Sequence, residues 1–138
     1  MNGLIVIASD ITFLEHFISC KLNPSDFSHE AHLRLAWINI SLHGIVKAES
    51  MIQTQLKNFV NHVGANDKYN TTLTIAATKA VYHFMLKSKS DNFLDFMEEF
   101  PRLKTNFRDL IEQHYSYDVF NSHEAKTRYL EPDLAPFV

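Results

Sequence analysis

Ser28–Lys47 reads SHEAHLRLAWINISLHGIVK, and the distribution of its apolar residues decides the fold class. Projected on a helix at about 100° per residue, His29, His32, Ala36, Asn39, His43 and Lys47 fall into one polar stripe. Leu33, Leu35, Trp37, Ile38, Leu42, Ile45 and Val46 cover nearly all the remaining circumference. A surface helix needs a single apolar face, whereas one that is apolar almost all round needs neighbours on several sides. The segment is therefore expected to be one long central helix, residues 28–47. Ser28 suits its N-cap, where a hydroxyl accepts from a first-turn amide, and Glu30 suits the positive end of the dipole. Arg34 and Ser41 fall opposite the histidines, and an arginine on an apolar side needs a carboxylate. The acidic C-terminal segment offers Glu131 or Asp133.

Outward from this helix the chain reads as further helices. Ile11, Leu14, Phe17 and Ile18 recur at helical spacing, so Asp10 to Lys21 is a first helix with Asp10 as N-cap. Pro24 breaks the chain before Ser28. A third helix runs from about Glu49 to Val63, and Gly64 closes it in the left-handed conformation. After the polar break GANDKYNT (64–71), Thr71 or Thr72 caps a fourth helix to about Leu86. Its edge of Thr72, Lys79 and His83 reads as the wet side. Asp91 to Phe100 is a short helix, Pro101 starts another that ends near His114, and Ser122 caps a last one. Leu4 to Ala8 suits either a strand or an extended arm. The fold class is all-α: a compact bundle of about five to seven helices around the central helix, one domain over residues 1–138.

Composition excludes several function classes. A net charge of -3, with no basic run, argues against a nucleic-acid partner, whose affinity comes from many neutralised phosphates. The single Cys20 excludes an intrachain disulfide framework and suits a reducing compartment. The apolar opening Met1 to Ala8 lacks a basic flank and falls far short of the roughly 20 residues that span a bilayer. No membrane association and a cytoplasmic location are expected.

The first turn of the central helix carries the chemistry. His29 and His32, one turn apart, hold their Cβ atoms about 5–6 Å from each other. Two imidazoles so placed present nitrogens to one point, as a transition metal requires, although a third ligand has to come from elsewhere. Lys68, Tyr69 and Thr72 place a cation, a phenol and a hydroxyl at the start of the fourth helix, where free amides favour an anion. If helices three and four pack on the central helix, these residues come to lie beside His29 and His32. Tyr115, in the cluster His114-Tyr115-Ser116-Tyr117, either lines the same cavity or anchors a helix end. His16, His62, His83 and His123 read as surface residues.

Phe27-Ser28-His29-Glu30-Ala31-His32-Leu33-Arg34-Leu35-Ala36-Trp37, then Lys68-Tyr69-Asn70-Thr71-Thr72-Leu73-Thr74, His114-Tyr115-Ser116, Glu124-Ala125-Lys126 and Glu131-Pro132-Asp133, occur in that order. This succession resembles a family of small bacterial all-helical proteins with no assigned activity, over about Phe13 to Phe137. The resemblance implies a shared helical fold and a shared pocket, and it supplies no reaction. The family pattern has histidine directly after the tyrosine of the second block, where this chain has Asn70. An amide in that place weakens a metal role.

Three functions are therefore weighed. The first is a small-molecule or anion site formed by His29, His32, Lys68, Tyr69, Thr72 and Tyr115, with or without catalysis. It expects a cavity above about 300 Å³. The second is a structural or interaction domain, for example a homodimer, using exposed aromatic surface. The third is a mononuclear metal-dependent enzyme using His29 and His32.

Overall fold

One residue interrupts the expected central helix. In a computed structural model of the chain, which describes residues 4–137, α2 (His29–His43) stops at Gly44, and α3 (Ile45–His62) starts immediately after it. Gly44 has φ +81° and ψ 167°, a conformation essentially confined to glycine, so the helix cannot continue through it. The hydrogen-bond ladder is nonetheless kept on both sides. The Gly44 amide donates to Ile40 O (2.8 Å), and its carbonyl accepts from the Ala48 amide (3.0 Å). The expected helix over 28–47 is thus two helices sharing a one-residue elbow.

From that elbow α3 folds back antiparallel along α2. The buried amides of Asn39 and Gln55 face each other, with Asn39 Nδ2 donating to Gln55 Oε1 (2.9 Å) and to Leu35 O (3.0 Å). A third helix, α4 (Thr71–Lys87), runs antiparallel to α3 and is tied to it by Lys79 Nζ–Glu49 Oε2 at 3.1 Å. The starts of α2 and α4 therefore lie at the same end. Leu33, Leu35, Ala36, Trp37, Ile38, Asn39 and Ile40 are all buried, so α2 is enclosed on every side, as its apolar circumference requires. Ala76, Ala77 and Ala80 on α4 permit close helix approach.

Shorter elements close the bundle. Residues 4–7 are extended, and α1 (Ala8–Ile18) follows. Met1 to Gly3, the first part of the apolar opening, and Val138 lie outside the described residues. Asp10 sits inside the first turn of α1 rather than at its N-cap, and its carboxylate accepts from the Ile7 amide (3.1 Å). The same carboxylate is the partner of Arg34, with Nε and Nη2 2.9 and 2.8 Å from Oδ1. Neither Glu131 nor Asp133 fills that role; Asp133 instead accepts from the Ser116 amide and hydroxyl. The expected single helix after Pro101 is two pieces, α6 (Arg102–Thr105) and α7 (Phe107–Glu112), because Asn106 leaves helical dihedrals (φ −131°, ψ 34°). Before them comes α5 (Phe93–Glu99), and α8 (His123–Thr127), capped by Ser122, comes after. Glu99 clamps the α4–α5 turn. It accepts from the Ser88 and Ser90 hydroxyls (2.6 Å each) and from the Lys89 amide (3.0 Å), contacts that hold its carboxyl down to about 2.

The result is an all-α bundle with no strand among the described residues. No helix among them is long and apolar enough to cross a membrane.

Candidate functional site

A cavity of about 470 Å³ opens at the shared start of α2 and α4. Its apolar wall comes from Phe27, from Leu56, Phe59 and Val60 of α3 with Val63 just after it, from Leu73 and Ala77 of α4, and from Phe107 and Phe120. Its polar wall is His29, His32, Lys68, Tyr69, Asn70 and Thr74. The hairpin geometry explains the meeting. The last turn of α3 lies against the first turn of α2, and the chain between α3 and α4 crosses that end.

Each polar residue has a distinct state. His29 Nε2 lies 2.9 Å from Leu103 O, and since a carbonyl only accepts, Nε2 carries the proton. Its ring also packs on Phe107, centroids 4.7 Å apart. His32 stacks on Phe27 (5.8 Å), which in turn stacks on Phe17 (4.8 Å). Its Nε2 is buried with no hydrogen-bond partner. Desolvation, reinforced by His29, lowers His32 to about 4, so it is neutral at pH 7. The Tyr69 hydroxyl is likewise buried without a partner, and burial raises its pKa, an effect partly offset by the neighbouring Thr71 and Thr74 hydroxyls. Lys57 Nζ stands 5.4 Å from the Tyr69 ring centroid. Lys68 is exposed and forms no ion pair among the described residues.

The His32 shift has a testable consequence. An unfolded-chain histidine titrates near 6.5, so between about pH 6.5 and 4 the unfolded state binds more protons at this site than the folded one. Stability linked to His32 is therefore complete above about pH 6.5 and is lost as pH falls toward 4. Urea unfolding of His32→Phe is expected to lose about 2 kcal/mol less than wild type between pH 7 and pH 4.5. Identical losses in the two proteins would show that the imidazole is not desolvated.

Asn70 takes the cap position expected of Thr71 or Thr72. Its Oδ1 accepts from the Leu73 amide (2.9 Å) and its Nδ2 donates to Val119 O (2.9 Å). Asn70 is thus committed to holding α4 and the 119 region together. Thr74 Oγ1 donates back to Asn70 O (2.8 Å).

Thr72 and Tyr115 are placed away from the cavity. Thr72 is fully buried rather than on a wet edge. Its Oγ1 donates to Arg128 O (2.8 Å) and accepts from the Leu130 amide (3.0 Å), and Tyr115 donates to Leu130 O (2.8 Å). Both hold the C-terminal segment across the bundle. His83, expected at the surface, is half-buried with Nδ1 unpartnered.

The metal expectation is overturned. Among the described residues no group of three or more His, Cys, Asp or Glu side chains is arranged to hold a metal ion. His29 and His32 lack a third donor, and the Nε2 of His29 is already committed to Leu103. The aromatic walls Phe107 and Phe120 had no counterpart in the sequence reading. They come from short segments whose position depends on the whole fold.

No family model matches the chain, and no curated protein or solved structure matches it.

Proposed function

We propose that this protein binds a small amphipathic molecule in the cavity between the starts of α2 and α4. The observation that carries this is a pair of residues, His32 and Tyr69, that line one largely apolar cavity and each hold a buried polar atom (Nε2 and Oη) without a partner. An unsatisfied buried polar group costs about 1–3 kcal/mol, which a ligand's own polar groups offset. The volume falls within the range usual for small-molecule sites. Binding rather than turnover is favoured because the wall carries no Asp, Glu, Ser or Cys, and because a histidine at about 4 is poorly matched to proton transfer near neutrality. The lone, unbridged Cys20 agrees with a cytoplasmic setting.

Filling the cavity tests this. With the neutral fluorophore N-phenyl-1-naphthylamine, wild type is expected to give a saturable one-site fluorescence rise. Ala77→Phe, which projects a ring into the cavity, weakens it by about tenfold or more, a loss of the size expected when the apolar contact area is removed. Leu73→Trp provides a second block should the first variant be unstable, with far-UV circular dichroism checking both folds. No saturable rise, or equal affinity in folded blocked variants, defeats the proposal.

A second reading, an interaction domain, is favoured by one surface. Val46 and Leu86 are 83% and 55% exposed in the wall of a groove of about 990 Å³ at the Gly44 elbow. A solution mass near twice 16.0 kDa would favour a homodimer through this face.

A further inference from the structure

We infer that the molecule taken up by the cavity is an organic monoanion with an apolar body, its head met by Lys68 Nζ and the Tyr69 hydroxyl. This rests on the cavity being a binding site and adds the class and orientation of the ligand.

The charge balance of the wall carries the assignment. The chain has 16 acidic against 13 basic side chains, yet no carboxylate lines this cavity, and Lys68 is its one formally charged residue. Asp67, next to Lys68 in the chain, is exposed and lies outside the wall. With no ion pair of its own among the described residues, the Lys68 ammonium has its charge available to a ligand. Lys57 places a second cation on the Tyr69 ring, and it is not part of the cavity wall. The phenol's hydroxyl is a donor without an acceptor. A cation and an idle O–H donor on adjacent residues suit a carboxylate or sulfonate, because charge-assisted hydrogen bonds are the strong ones.

The two histidines of the wall offer a charged head less. His32 is neutral at pH 7 and is packed on Phe27, itself against Phe59 (5.5 Å). His29 has its Nε2 proton given to Leu103 O and its ring packed on Phe107 (4.7 Å). An anionic head beside the His32–Phe27 stack gains no charge pairing, so the head belongs at Lys68, and the ligand's body meets the histidines with a neutral polar atom for His32 Nε2. No arginine lines the wall, which disfavours a dianionic phosphate, whose recognition draws on bidentate guanidinium contacts.

A matched probe pair separates this inference from the reading beneath it. 8-Anilino-1-naphthalenesulfonate has the same ring system as N-phenyl-1-naphthylamine plus one negative charge. Wild type is expected to bind the sulfonate about tenfold more tightly at low salt, a preference that shrinks as salt is raised. Lys68→Gln, at an exposed side chain, is expected to abolish the preference for the sulfonate over the neutral probe. Tyr69→Phe is expected to reduce it about three- to fivefold, the scale of one lost hydrogen bond. Equal affinity for the two probes in wild type overturns the anion assignment while the neutral probe's binding keeps the cavity as a site. So does a preference that survives Lys68→Gln. Failure of both probes to bind, or binding indifferent to Ala77→Phe, overturns the cavity reading and this inference with it.

Discussion

Trp37→Ala is expected to lower the unfolding free energy by about 3–5 kcal/mol, the range for deleting a buried large aromatic. Trp37 is 1% exposed near the middle of α2, with its ring edge-on to Phe93 of α5, centroids 6.1 Å apart. The cost belongs at the top of that range because the site cannot collapse. Neighbours on every side of α2 are anchored by their own buried residues, so the space left by the indole stays open. For a chain of this length each kcal/mol moves the melting temperature by about 2–8 °C, so a fall of roughly 10 °C or more should be seen by circular dichroism. Val46→Ala, at a residue 83% exposed and only one turn past the elbow from buried Ile40, should change stability by less than about 0.5 kcal/mol. Comparable losses in the two variants would mean that α2 is not the packing centre.

Asp10→Ala is expected to destabilise by about 2–4 kcal/mol. The change removes at once the acceptor of the Ile7 amide and the partner of the Arg34 guanidinium, so it unfastens the start of α1 and its attachment to α2. The Asp10 side chain is 4% exposed but that of Arg34 is 27%, so the stranded guanidinium keeps some water and the loss stays below that of a fully buried pair. Arg34 also lies over the Phe13 ring at 4.8 Å, a contact that survives the loss of the carboxylate. A double-mutant cycle with Arg34→Met, read by urea unfolding, should return a coupling of about 1 kcal/mol or more. Additive losses would show that the two side chains act independently, and a large coupling between Arg34 and Glu131 instead would reverse the assignment.

The parts of this molecule legible in its sequence are those set by local periodicity. The enclosed character of α2 follows from Leu33, Leu35, Trp37 and Ile38 spread around its wheel, and the placement of His29, His32, Lys68 and Tyr69 around one cavity follows once three consecutive helices are folded back on one another. What periodicity cannot carry was misread. The apolar pattern runs straight through Gly44, and only the backbone dihedrals reveal the elbow. Asp10 bears the same signature whether it stands at the N-cap or inside the first turn, so its role as partner of Arg34 had to wait for tertiary geometry. Thr72 looks like a rim hydroxyl beside Thr71. It is buried because residues 128–130 lie across it, and nothing local announces that crossing.

The elbow at Gly44 also acts as a ruler. Measured from it, α2 has 15 residues and α3 has 18, lengths of about 22 and 27 Å at the α-helical rise. The return helix therefore overhangs the outgoing one by less than a turn, and that overhang carries Val60 to the cavity's end, with Val63 just beyond the helix. Sliding the glycine by a single position would lengthen one arm and shorten the other, and would rotate each wall by about 100°. The end of the bundle at which the cavity opens is thus shaped in part by a difference between two helix lengths.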